Sequence, residues 1–144
     1  MSQAIAHARV IHAGCVSFDG RGVLILGASG SGKSSLALQL MAYGFGFVSD
    51  DRTAVAARGG IVVAAAPRPV RGRIEARGIG ILNVTPVSAA RIRLVIDLDE
   101  VEGARLPPFR TYSLLGVDLP LLHSLASPHF PAAILQYVKA GRNA

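Results

Sequence analysis

A chain of 144 residues, half of them apolar and 17% charged, has the size and composition of one globular domain and excludes a disordered polymer. The net charge of +6 rests almost wholly on arginine, since only Lys33 and Lys139 are lysines; the arginines are scattered without an aromatic platform among them. That pattern argues against nucleic acid and for phosphate, carboxylate or an acidic protein partner.

The single cysteine, Cys15, cannot bridge internally and reads as a small buried apolar residue. No apolar run approaches the ~20 residues of a membrane helix. The first residues lack the basic start and apolar core of a signal peptide, so the reading expects a cytoplasmic chain with no membrane partner.

In chain order, Ala8 to Ala13 and Cys15 to Phe18 are strand-like, and Asp19-Gly20 signals a turn. Val23-Leu24-Ile25-Leu26 is a continuous apolar run, the mark of a strand buried on both faces. From Lys33 the period changes to helical, with Leu36 and Leu40, then Ala37 and Met41, and Gly44 stands where a helix stops. Phe45 to Val48 reads as a short strand ending in Ser49-Asp50-Asp51. Thr53 to Ala57 and Ile61 to Ala65 flank Arg58-Gly59-Gly60 as a hairpin, and Pro67-Arg68-Pro69 interrupts any sheet. Glu75 to Ile81 is glycine-spaced and unsuited to helix. Arg91 to Leu98 alternates as a half-buried strand. Leu106-Pro107-Pro108 is a loop, Tyr112 to Leu122 is apolar but interrupted by Gly116 and Pro120, and Pro131 to Ala140 is a closing helix. No repeat or linker divides the chain, so residues 1–144 are read as a single domain.

Gly27-Ala28-Ser29-Gly30-Ser31-Gly32-Lys33-Ser34 fits G-x-x-x-x-G-K-[ST] at every required position, between a buried strand and a helix. Such glycines let successive N–H groups point into one concavity, and the helix adds its positive end. The pattern predicts ATP bound by its phosphates, with Lys33 reaching the β- and γ-phosphates and Ser34 ligating Mg²⁺. Mg²⁺ needs a further carboxylate, and phosphoryl transfer needs a group to take the acceptor's proton. Asp50-Asp51 ends the strand after the phosphate-loop helix, where ligands sit in open α/β sheets, and adjacent strand residues point opposite ways. The two aspartates are therefore expected to do different jobs. Asp97, Asp99, Glu100 and Glu102 read as a solvated charge run. Glu75, on residue grounds alone, is either a metal ligand or half of a surface ion pair.

Together these residues resemble the catalytic domain of HPr kinase/phosphorylase, a bacterial enzyme acting on a serine of the phosphocarrier HPr. The likeness runs from about His12 to Val84. His12 stands 21 residues before Lys33; the phosphate loop follows; then come Phe47-Val48-Ser49-Asp50-Asp51 and Glu75-Ala76-Arg77-Gly78-Ile79-Gly80-Ile81-Leu82-Asn83-Val84. The last stretch is the most specific, since ordinary phosphate-loop proteins lack it.

The resemblance implies Asp51 as the acid/base toward the target serine, His12 as an active-site histidine and Glu75 as a Mg²⁺ ligand. It implies Arg105 as an active-site arginine. It also implies the α/β fold shared with phosphoenolpyruvate carboxykinases, a mixed strand-rich sheet with few helices, assembled as a homo-oligomer, a hexamer in the family. The catalytic-type strand begins near residue 8, so the expectation is a short form without the family's N-terminal domain. Ser35 replaces the family's Glu after the phosphate-loop serine. Leu121-Leu122-His123-Ser124-Leu125-Ala126 stands where the family carries a Pro-Val-Arg-Pro-Gly-Arg loop tied to phosphorolysis. The reading is thus an ATP-dependent serine kinase for an HPr-type phosphocarrier, poor at phosphorolysis. Two alternatives stay open: a nucleotide-binding sensor without transfer, and a kinase with a small-molecule acceptor.

Overall fold

A computed structural model describes residues 7–144. Strands β1 (His7–Ile11), β2 (Ala13–Phe18) and β3 (Arg21–Leu26) lead to helix α1 (Lys33–Ala42) and strand β4 (Gly46–Ser49). A hairpin of β5 (Thr53–Arg58) and β6 (Ile61–Ala65) follows, then a short 3₁₀ turn at Arg68–Val70. A smaller hairpin comes next, β7 (Arg73–Ala76) and β8 (Gly80–Asn83). The long β9 (Ala90–Val101), the hairpin β10 (Arg110–Leu114) and β11 (Val117–Ser124), and helix α2 (Phe130–Ala140) complete the chain.

One sheet runs in the order β1-β5-β6-β9-β3-β2-β4, with β11 and then β10 added on β9. β9 organises it. Its 12 residues pair along one edge with β3, in parallel from Arg91 to Asp97. The other edge is shared by β6 at Ala90 and Arg91 and by β11, again in parallel, from Val95 onward. The remaining pairs are antiparallel. The structure is the expected mixed, strand-rich α/β fold, with two α-helices among the described residues.

The continuous apolar run of β3 is explained by burial on both faces. Val23 and Ile25 join Leu94 and Ile96 under α1 and α2, against Leu36, Leu40, Phe130 and Ile134. Leu24 faces a second cluster with Cys15, Val55, Val62, Ile92, Val95, Leu114 and Leu119, built by strands alone. Cys15 is fully buried there, and burial pushes its thiol pKa up to about 12.

Local turn chemistry sets the hairpins. Asp19 and Gly20 both take positive φ (50° and 75°), as a two-residue hairpin matching strand twist requires. Leu115 and Gly116 do the same between β10 and β11 (51° and 79°). The interruption read at Gly116 is therefore a hairpin turn. Pro120 is tolerated in β11 because it pairs only with Thr111 of β10, and pairing with β9 begins at the next residue. The glycine-spaced segment from Glu75 becomes the β7–β8 hairpin, a separate two-stranded sheet. No helix among the described residues is long and apolar enough to cross a membrane.

Candidate active site at the phosphate loop

β3 leaves the sheet at Gly27, whose φ is 155°; a Cβ there would collide with Ser31 Oγ, so the turn demands glycine. The loop closes on α1 through Gly32 (φ 103°), and Leu36 N donates to the Gly32 carbonyl at 2.9 Å. Lys33, the first residue of α1, is buried, and its Nζ donates to the carbonyls of Gly27 (2.7 Å) and Ala28 (3.1 Å). The loop thereby surrounds its own lysine, which offsets the cost of burying an ammonium group.

Asp50 and Asp51 follow directly on β4, which ends at Ser49, and they make different contacts; strand alternation is not the reason, since Asp51 has left the extended region. Asp50 is buried. Its Oδ1 accepts from Ser34 Oγ at 2.6 Å and its Oδ2 accepts from the Glu75 backbone N–H at 2.9 Å. One carboxylate thus joins α1 to β7. Asp51 is half exposed and takes a left-handed backbone (φ 65°), a conformation that costs most side chains about 1–2 kcal/mol and is mildest for Asp and Asn. Strain of this kind persists where its surroundings fix it, and it gathers at functional sites. Asp51 Oδ1 lies 2.6 Å from His12 Nε2 and 3.6 Å from Lys33 Nζ.

These residues face a cleft of about 490 Å³ lined by Gly30, Gly32, Lys33, Ser34, Asp50, Asp51 and Glu75, with Arg77 and Ile79 of the β7–β8 hairpin on its far wall. The sequence profile of the HPr Serine kinase C-terminal domain matches residues 3–118. This chain belongs to that family. It is 33% identical over 146 residues to the HPr kinase/phosphorylase of Brevibacillus brevis, covering 99% of this chain and 46% of the relative. A protein of the same name from Exiguobacterium sibiricum is also 33% identical, over 96% of this chain and 45% of the relative. The chain therefore spans a little under half the length of the curated relatives it matches. Among solved structures, the Hpr(Ser) kinase/phosphatase from Coxiella burnetii superposes with a TM-score of 0.76 at 26% identity, over 91% of this chain and 94% of that one.

The residues lining the cleft would suit a magnesium-bound polyphosphate. Added Cβ atoms at Gly30 and Gly32 would meet no atom within 4 Å, so the cradle is open where phosphate oxygens need room. Among the described residues no three His, Cys, Asp or Glu side chains converge on one point. A magnesium ion here would take phosphate and water oxygens beside Ser34 and Glu75, its ordinary mode of binding.

Of the candidates named from the sequence, Ser29, Gly30 and Gly32 line the cleft, while Gly27, Ala28 and Ser31 belong to the loop but not to its lining. His12, Lys33, Ser34, Asp51 and Glu75 all belong to the cleft or its rim. Arg105 is exposed on the loop between β9 and β10 and does not line the cleft. The acidic run is not simply solvated. Asp99 accepts from the Ala28 N–H with both carboxylate oxygens (3.1 and 3.0 Å). Glu102 pairs with Arg110 at 3.2 Å, and the Ala104 N–H, with Arg110 beside it, holds its carboxyl below the usual range. Asp50's bond to Ser34 was equally invisible to sequence reasoning: the expected alternation does not say which of the two aspartates turns inward.

Proposed function

We propose that this domain is an ATP-dependent protein serine kinase acting on an HPr-type phosphocarrier protein. The observation that carries the reading is the position of Asp51. It stands on the rim of the phosphate-loop cleft with Lys33 Nζ 3.6 Å away and His12 Nε2 hydrogen-bonded to the same oxygen. The acceptor serine's oxygen forms a bond to the terminal phosphorus as the bond to the leaving diphosphate breaks, and Asp51 takes the hydroxyl proton. His12 fixes the Asp51 carboxylate, leaving its second oxygen for the acceptor. Lys33, drawn from the loop carbonyls, meets the phosphate charge, and Asp50 holds Ser34 and the Glu75 backbone of β7 in place. Magnesium bound at Ser34 and Glu75 would neutralise charge on the transferred group.

The same reading makes phosphorolysis poor. Holding inorganic phosphate beside phosphoserine needs cations to screen two anions. After Arg110 the next arginine is Arg142. Its guanidinium lies 4.1 Å from the centre of the Phe109 ring and donates to the Pro107 carbonyl, and residues 121–124 form the end of β11. Incubating the chain with Mg²⁺, γ-labelled ATP and a panel of phosphocarrier proteins tests the assignment. Labelled carrier is expected, and Lys33→Ala is expected to abolish both labelling and calorimetric Mg-ATP binding. Labelled small molecules or tight binding without transfer would replace the proposed reading with one of the other two.

A further inference from the structure

We infer that Asp99 is a positioning residue for the phosphate loop. This rests on the nucleotide reading above and extends it to a residue outside the cleft. The parallel ladder between β3 and β9 ends at Leu26 opposite Asp97, where β3 turns away at Gly27 and β9 continues to Val101. Past that point β9 has lost its partner on this edge, and the Asp99 carboxylate takes over by accepting the Ala28 N–H. Asp97 Oδ1 in turn accepts the Asp99 backbone N–H at 2.9 Å, fixing the strand from which that carboxylate reaches.

Ala28 is thereby gripped from two sides, by Asp99 at its N–H and by Lys33 Nζ at its carbonyl. Neither Ala28 nor Asp99 lines the cleft, so the carboxylate does not compete for the cradle where phosphate would sit. Asp99 is exposed to solvent, which screens its charge, and its carboxylate is engaged with the Ala28 N–H. Releasing Ala28 frees the Gly27-Ala28 carbonyls that hold Lys33, so the effect of Asp99 reaches the nucleotide through Lys33.

The test is amide hydrogen exchange by NMR on the full chain, paired with calorimetric Mg-ATP titration. Asp99→Ala is expected to speed Ala28 exchange and weaken Mg-ATP binding by roughly 10- to 100-fold, the range for a hydrogen bond to a charged group. Asp99→Asn keeps an acceptor oxygen and is expected to restore most of both. Unchanged Ala28 exchange and affinity in Asp99→Ala overturn the inference. So does an Asp99→Asn protein that keeps Ala28 protected yet binds as weakly as Asp99→Ala, since charge alone would then be at work. If Asp99→Ala does not fold, Asp99→Glu replaces it: moving the carboxylate by one methylene must speed Ala28 exchange and weaken binding, and no change in either sinks the tether. The nucleotide reading fails separately, if the unaltered chain binds no Mg-ATP while its Ala28 exchange still responds to Asp99.

Discussion

At the C-terminal ends of β3, β4 and β9, the polar contacts of Lys33, Ser34, Asp50, Asp51 and Asp99, hydrogen bonds and one ion pair, gather around one loop. A few residues back along the same strands, Leu24, Ile25, Val48, Leu94, Val95 and Ile96 are fully buried apolar side chains. The loop end tolerates strain at Asp51 and an open cradle, while the middle carries the apolar burial that stabilises the domain, about 1.5–3 kcal/mol for each large side chain. Two adjoining stretches of one strand thus serve different ends, and substitutions should sort accordingly: chemistry lost at the loop end with the fold intact, stability lost in the middle with the site intact.

The largest expected effect is at Asp51. Asp51→Asn should lower phosphoryl transfer roughly 10²–10⁴-fold, the usual loss for a general base. Its melting temperature and Mg-ATP affinity should hold, because Asn accepts the left-handed backbone as readily as Asp. Single-turnover transfer beside a thermal melt decides it. A severe Asp50→Asn with a mild Asp51→Asn would reverse their roles.

Next comes Leu94→Ala, in the cluster beneath the helices, which should cost about 2–5 kcal/mol in urea unfolding. The Mg-ATP affinity of the folded fraction should stay unchanged. Affinity falling in step with stability would break the separation between the two regions.

Cys15 sharpens the comparison from the other side. Its folded pKa of about 12 lies above the ordinary 9.0, so the unfolded chain releases this proton first and stability falls as pH rises past 9. At pH 10 the loss attributable to Cys15 is on the order of 1 kcal/mol relative to neutral pH, and Cys15→Ala should remove it. An identical alkaline slope in the variant would contradict the burial argument.

The smallest effect belongs to Glu102. Its carboxyl is held below the ordinary value by the Ala104 N–H and Arg110, so its contribution is present above about pH 4.5 and lost as pH falls through the lower folded value. Glu102→Gln should therefore be slightly less stable than the unaltered chain at pH 7 and match it in strong acid, as paired thermal melts would show.

The features legible in the sequence were those with a local signal. The phosphate loop, the helix after it, the Asp19-Gly20 turn and the β5–β6 hairpin announce themselves within a few residues. The pairing of β11 with β9 does not. A parallel partner leaves no turn signature between the strands, and Gly116 and Pro120 masked the hairpin that delivers β11 to the sheet. Asp99 is exposed, as a charge run at a strand end suggests, but its bond to a backbone N–H from 71 residues earlier has no local signal. The pair Asp50-Asp51, by contrast, was singled out by its place after the phosphate-loop helix, while the choice of Asp51, like His12 and Glu75, came by resemblance.

That separation of 71 residues has a consequence for how the chain folds. Loop-closure entropy delays contacts between distant segments, and parallel pairings form slowly. The hydrogen bonds of helix α1 and of the β2–β3 hairpin join near neighbours in sequence, and only their packing waits for β9. The phosphate loop, although it lies between them in sequence, acquires its Asp99 contact only after β9 has docked against β3. During refolding, helical signal should therefore rise before nucleotide affinity, and the loop read first from the sequence should be among the last parts of the domain to mature.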